Sequence, residues 1–169
     1  MILWNPADAK TYEDVFKDRD PRMIQSILPP GTAWEGLEDG DITSDDNSIF
    51  LYPKFINDKR GCMTYSGYYM RKYVEPSTVK YVGHDDNDIV ILRYAEVLLN
   101  YAEAKEMLGA LTQTDLDRSI NLLRDRVGMA RMELGNLPEG SDIRTEIRRE
   151  RRIELFFEGH RFFDIIRWK

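Results

Sequence analysis

Two histidines, one cysteine and thirty carboxylates are the raw material for chemistry in this 169-residue chain. His160 and Asp164 stand one helical turn apart with Glu158 close by, a set of residue types that could hold a metal ion. Gly159 interrupts a helix at that point and Phe162 and Phe163 flank the pair, so a structural hydrogen bond is the better expectation and no metal site is assigned. His84 lies in an acidic loop with no partner at ligand spacing. Cys62 stands alone, which excludes a disulfide framework and a cysteine-based zinc motif. Glu38-Asp39-Gly40-Asp41 and Asp45-Asp46-Asn47 carry oxygen ligands of the kind calcium takes. The twelfth position counted from Asp39 or Asp45 is Phe50 or Ile56 rather than the glutamate of an EF-hand, so a solvated acidic loop is expected.

Catalysis would need a nucleophile beside a base, a framed pair of carboxylates or a metal cluster. With so many acidic residues, carboxylate pairs must occur somewhere, and their existence says nothing about glycosidase chemistry. The eleven glycines are scattered and form neither G-x-G-x-x-G nor a phosphate loop. The chain is therefore expected not to be an enzyme and to need no cofactor.

Aromatic residues make a second kind of candidate site. Between Phe50 and Tyr81 they are dense, and a tyrosine joins a flat apolar face to a polar tip, which suits a sugar ring with apolar axial hydrogens and a hydroxylated rim. Trp34, Tyr52, Tyr65, Tyr68 and Tyr69 are the candidates by ring type and loop context. The competing reading is that these rings pack against the protein itself.

These residues sit on elements that the pattern outlines. Residues 7–16 can form a short helix, broken at Asp20-Pro21-Arg22. Met23, Ile24, Ile27 and Leu28 form a short apolar segment, read as extended, that ends at Pro29-Pro30-Gly31. Residues 32–67 are rich in Gly, Asp, Asn and Ser and imply a long irregular excursion. Asp85 to Asp88 is an acidic cluster suited to the positive end of a helix dipole. The helix expected to follow it runs from Ile89 to Leu108, apolar on most sides near its start and therefore central, with Gly109 just past its end. Thr114, with Asp117 three positions on, is expected to cap a second helix whose face is Leu116, Ile120, Leu123 and Val127, and Gly128 ends it. Two such helices joined by a short turn look like one tetratricopeptide hairpin.

The last helix is expected to start at a Ser141 cap and run unbroken to Gly159. Ile143, Ile147, Ile153, Phe156 and Phe157 supply its apolar stripe. Glu146, Glu150, Glu154 and Glu158 stand four apart on another line, and Arg144, Arg148 and Arg152 on a third. Either the charges form a solvated face, or guanidinium forks meet carboxylates and Arg148, Glu150, Arg152 and Glu154 staple the helix to its neighbours. Residues 144–169 hold eight Lys/Arg against five Asp/Glu, a balance of +3, while the rest of the chain stands at −9. The net charge of −6 and the regularly spaced glutamates argue against nucleic acid. No run reaches the ~18 apolar residues of a membrane helix, and MILWNPADAK lacks the features of a signal peptide.

The block R-R-E-R-R-I-E-L-F-F-E-G-H-R-F-F-D-I-I-R-W closely resembles the signature of the SusD/RagB family. R-Y-A-E-V-L-L-N-Y-A-E-A at 93–104 and I-N-L-L-R-D-R-V-G-M at 120–129 resemble the repeat hairpin that precedes that signature, and the D-P-R and G-Y-Y-M-R-K segments match in shorter pieces. The resemblance implies a mainly α fold of SusD-like, α/α superhelix type: a tetratricopeptide-like hairpin, an arginine-rich helix and long irregular loops. It divides the chain into a loop-rich segment, 1–87, and a helical one, 88–169. It further implies a surface lipoprotein of a Gram-negative outer membrane that captures an oligosaccharide or polysaccharide and delivers it to a SusC-like TonB-dependent importer. Membrane association would come only through an N-terminal lipid anchor, and the chain is expected to be a fragment of the C-terminal region. In the family, glycan contacts come from variable loops, so no residue carries over by motif. The alternative is a helical-repeat module for protein–protein interaction without sugar binding.

Overall fold

The computed structural model describes residues 11–33, 49–50, 64, 66–74, 88 and 90–169. The chain forms two compact units, Met1–Ile89 and Val90–Lys169. It is mainly α, as its sequence implies, with a single two-residue strand pair among the described residues.

In the first unit a 3-10 turn, Glu13–Phe16, takes the place of the later part of the expected 7–16 helix. Helix α1, Arg22–Ser26, corrects the extended reading of the segment after Pro21. The cause is local: the Asp20 carboxylate accepts from the Arg22 backbone N–H at 2.9 Å and from the Arg22 guanidinium at 2.9 and 2.6 Å, closing the first turn over the proline. Pro21 suits such a start because it lacks an N–H. The chain becomes extended at Ile27, which bridges Met70. Strand β1, Thr32–Ala33, pairs antiparallel with β2, Ile49–Phe50. The acidic stretches at 38–47, Cys62 and His84 lie outside the described residues, as do Asp85, Asp86 and Asn87.

In the second unit helix α2, Tyr94–Met107, starts five residues later than the sequence suggests. Arg93 is extended, at φ −130° and ψ 159°, and its side chain is held elsewhere, as described below. Only one face is central: Leu99 and Ala102 are fully buried and Ala95 and Leu98 nearly so, while Ile91, Leu92 and Tyr94 are exposed. Gly109 follows at φ 64°, a left-handed position that glycine adopts without a Cβ penalty.

The second helix of the hairpin is two short pieces, α3, Gln113–Asp117, and α4, Ile120–Arg126. Its cap is Thr112 with Asp115, two residues before the expected pair. The Thr112 hydroxyl accepts from Asp115 N–H, and the Asp115 carboxylate accepts from Thr112 N–H. Both pairs satisfy the capping-box spacing, but only Asp115 also receives the Tyr101 hydroxyl. Leu116, Ile120 and Leu123 form the buried face, as the periodicity requires.

Helix α5, Ile143–Glu154, packs chiefly on α2. Its cap is Asp142, which accepts from Thr145 N–H at 2.7 Å, and Ser141 instead donates to Glu146. The helix stops at Leu155, four residues short of Gly159, and helix α6, His160–Arg167, follows with Gly159 at φ 80° as its cap. The core joins Leu98, Leu99 and Ala102 of α2 to Leu116, Ile120 and Leu123 of the second helix, Ile147 of α5, Met132 and Leu155.

Candidate functional site

The arginine-rich helix buries its glutamates. Glu146, Glu150 and Glu154 have 4%, 1% and 2% of their surfaces exposed, whereas Phe157, from the expected apolar stripe, has 61%. A buried carboxylate must be paired, and each of these is. Glu150 accepts from Arg124 of α4 at 2.8 Å. Glu154 accepts from Arg126 of α4 at 2.8 and 2.9 Å and from Arg93, just before α2, at 2.7 Å. Arg93 also donates to both oxygens of Glu158 and to the Glu154 carbonyl, so one guanidinium spans the turn that ends α5. Burial works against the charge of Arg93, but bonds to Glu158 and Glu154 outweigh it and hold the guanidinium above its ordinary pKa.

A second knot ties α6 down. Arg151 donates to both oxygens of buried Asp164 and to Asn100 of α2. Arg167 donates to both oxygens of Glu103 on α2, at 2.5 and 3.0 Å, and to Asp164, while the Trp168 indole N–H donates to Glu103 as well. The Glu103 bond is the main reason the Arg167 pKa is raised. Arg148 lies over the Trp168 ring with its guanidinium carbon 4.9 Å from the centroid, and its Nε is buried with no hydrogen-bond partner among the described residues. Arg152 is exposed and pairs with no carboxylate among the described residues. Arg144, exposed, reaches Glu106 of α2.

Of the four residues expected to staple the helix, Glu150 and Glu154 stand in the buried ion pairs, Arg148 is stacked on Trp168, and Arg152 faces outward. The partners of the two glutamates, Arg93, Arg124 and Arg126, are missing from the expected set, and so are Arg151, Asp164, Arg167 and Glu103 of the second knot. Arg93 and Glu103 lie in the R-Y-A-E-V-L-L-N-Y-A-E-A block that carries the family resemblance, but nothing in the spacing says which opposite charge each of them meets. His160 and Asp164 do not act together: His160 Nε2 is 3.6 Å from Glu96, and Asp164 belongs to Arg151 and Arg167. Among the described residues no three His, Cys, Asp or Glu side chains converge to hold a metal ion, and no helix is long and apolar enough to cross a membrane.

The aromatic candidates fall in the first unit. Tyr68 and Tyr69 are half-buried; Trp34, Tyr52 and Tyr65 lie outside the described residues. The Tyr68 ring packs 6.0 Å from Tyr12 and 6.5 Å, edge-on, from Phe16. Tyr69 lends its carbonyl to Leu28 N–H at 2.9 Å, beside the Ile27–Met70 bridge. Burial, with Tyr68 and Tyr69 nearby, pushes the Tyr12 hydroxyl up to about 12. The G-Y-Y-M-R-K segment thus closes on α1: Arg71 N–H donates to Ser26 and its guanidinium to Ile24. In the second unit an open cavity of about 400 Å³ is lined by Gln113, Asp117, Arg131 and Glu133. Its amide is already committed, since Gln113 donates to Asp117 and Met132 and accepts from Leu134, and among the described residues no aromatic ring lines the cavity.

The arrangement described here has counterparts. A SusD-like protein from Bacteroides fragilis superimposes with a TM-score of 0.66 and 28% identity, over 91% of this chain and 28% of its own. SusD-like protein P38 of Formosa agariphila is 34% identical over 89 residues, 49% of this chain and 17% of that protein. SusD-like protein P2 of the same organism is 41% identical over 83 residues, 46% of this chain and 16% of its own. The chain spans less than a third of the length of each. The model of the SusD family matches residues 3–169, and the chain belongs to that family.

Proposed function

We propose that this SusD-family protein binds an oligosaccharide or polysaccharide at the bacterial outer surface and passes it to a TonB-dependent outer-membrane importer, making and breaking no bond. The observation that carries the reading is the family match across residues 3–169. The sugar would stack on aromatic rings while polar groups meet its hydroxyls, as small-molecule sites commonly combine an apolar floor with a few directed hydrogen bonds. Tyr68 and Tyr69, with Trp34, Tyr52 and Tyr65, are the proposed contacts, and the half-burial of the first two leaves part of each residue open to solvent. Glu150 and Glu154, with Arg148 stacked on Trp168, serve as scaffold, while Arg152 faces outward.

Calorimetric titration with a panel of plant and host glycans tests this. Binding of at least one glycan is expected, and loss of binding with alanine at all five aromatic positions while the helical circular dichroism is kept. Binding that survives those substitutions overturns the site; no binding across the panel overturns the function. Reducing-sugar release would mark an enzyme. Co-purification of an importer from detergent-solubilised outer membrane tests the delivery step.

A further inference from the structure

Arg161, Asp164 and Trp168 share one face of α6, since steps of three and seven residues return to the same side of a helix, while Phe162 and Phe163 are turned outward and exposed. Arg148 and Arg151 stand three apart on α5 and meet that face in register, Arg151 on Asp164 and Arg148 on Trp168. Guanidinium groups therefore crowd round one indole. The guanidinium carbons of Arg148, Arg167 and Arg161 lie 4.9, 5.2 and 5.7 Å from the Trp168 centroid. Arg167 is matched by Glu103 and Asp164, and Arg151 by Asp164. Those two buried carboxylates are thereby occupied: Glu103 also accepts from the indole N–H, and Asp164 serves both arginines.

Two cations are left over. Among the described residues neither Arg148 nor Arg161 donates a hydrogen bond or pairs with a carboxylate. The ring attracts each of them, but two like charges at one ring repel one another. Arg148 is half-buried with its Nε enclosed, whereas its terminal nitrogens reach solvent, and Arg161 is exposed. Forks of open N–H donors at one aromatic residue suit an oxyanion, which accepts from several of them at once and neutralises the excess charge.

We propose that Arg148 and Arg161, held at Trp168, bind an oxyanion carried on a saccharide, either a uronic-acid carboxylate or a sulfate ester, both ionised at neutral pH. The anion site follows from the charges and the open donors; its assignment to a saccharide rests on the function proposed above. It makes the preferred glycan an acidic one. Trp168 is itself half-buried, which leaves part of the residue open beside the forks for the apolar face of a sugar ring. Arg148 keeps its scaffold role through its contact with Trp168, while its terminal nitrogens meet the ligand.

Calorimetric titration at low ionic strength tests this with pairs of oligosaccharides that differ only in charge: oligogalacturonate against its methyl ester, and a sulfated galactan oligosaccharide against its desulfated form. At least one charged member is expected to bind about tenfold or more tightly than its uncharged twin, with the advantage shrinking as salt is added. Arg148→Gln and Arg161→Gln should each remove most of that advantage, Arg148→Lys should restore part of it, and Arg131→Gln, whose charge Asp125 already matches, should leave it unchanged. Arg161 is exposed, so Arg161→Gln decides the matter if Arg148→Gln fails to fold. Equal affinity within both pairs overturns the inference, as does an advantage that survives Arg161→Gln. Neutral glycans that bind through the five aromatic positions with no preference for charge leave the proposed function standing and overturn this inference alone. Inorganic sulfate that raises the melting temperature through Arg161 while no oligosaccharide binds overturns the saccharide assignment together with that function. A tetraglutamate peptide that binds as tightly as the acidic sugars also overturns the saccharide assignment.

Discussion

Arg151 Nε donates to both carboxylate oxygens of Asp164, at 2.9 and 2.8 Å, and the two residues retain only 5% and 3% of their surface. They are thirteen positions apart and lie on different helices, so this one pair fixes how α6 leaves α5. Such a pair is weak proof of stability but strong proof of interdependence, because each charge is tolerable only beside the other.

Asp164→Ala should destabilise the second unit by about 3–5 kcal/mol, the usual cost of leaving a buried partner uncompensated. The double change Arg151→Met with Asp164→Leu should cost clearly less than Asp164→Ala alone. Urea denaturation followed by circular dichroism measures both. A double variant as unstable as the single one would show that the pair is valued for something other than mutual neutralisation.

Glu150→Ala removes the acceptor of Arg124, at 2.8 Å, from a site with 1% exposure. A loss of about 3 kcal/mol is expected, with a lower melting temperature and unchanged intrinsic affinity for any bound glycan. Loss of affinity at unchanged stability would mean that Glu150 is a binding residue and not scaffold.

Arg152→Ala is the matched control. Exposed and without a carboxylate partner among the described residues, Arg152 should change the melting temperature by less than the equivalent of about 0.5 kcal/mol. A large effect would reveal a partner beyond those residues.

Acid should weaken the hairpin. Asp115 is held below the usual carboxylate range chiefly by the Tyr101 hydroxyl and then by Thr112, and Asp117 by Asn121 and Gln113. A depressed folded-state pKa means that the unfolded chain binds protons first, so this stability is complete above the ordinary aspartate value of about 3.9 and is lost as pH falls through the folded values. Denaturation midpoints should be flat from pH 7 to about 5 and fall below about pH 4, with a shallower fall in Asp115→Asn. An Asp115→Asn variant with the wild-type slope would locate the acid sensitivity elsewhere.

Tyr68→Ala should loosen the first unit because the ring packs on Tyr12 and Phe16. Tyr68→Phe keeps that packing and should be neutral for stability. Measured against a bound glycan, Tyr68→Phe separates a stacking ring, which keeps affinity, from a hydroxyl donor, which loses it.

The mainly α fold, the hairpin and its buried face of Leu116, Ile120 and Leu123 were legible because a helix announces itself by the spacing of its apolar residues. Gly109 and Gly128 were legible as stops from the local need for a left-handed residue just past a helix end, whereas Gly159 starts α6 rather than ending α5. Cap positions shifted by one or two residues, from Thr114 to Thr112 and from Ser141 to Asp142, because neighbouring residues of similar type compete and tertiary partners choose between them. Asp115 is selected by Tyr101, and Ser141 is drawn off by Glu146. The aromatic candidates were legible only as a composition, since a tyrosine that packs and a tyrosine that binds have the same side chain.

By itself, the order of residues determined that the second half of the chain is helical and to which family the chain belongs, because propensity and motif are properties of neighbours along the chain. Only the tertiary structure decided that the glutamates of α5 face inward and the phenylalanines of α6 outward. Hydrophobic periodicity assigns the apolar stripe to the interior, but here arginines from α4, from α6 and from the residue before α2, together with Arg151 of α5 itself, neutralise the buried carboxylates. Which face a charged helix buries depends on where its counter-charges are folded to, and that is settled across the chain rather than along it.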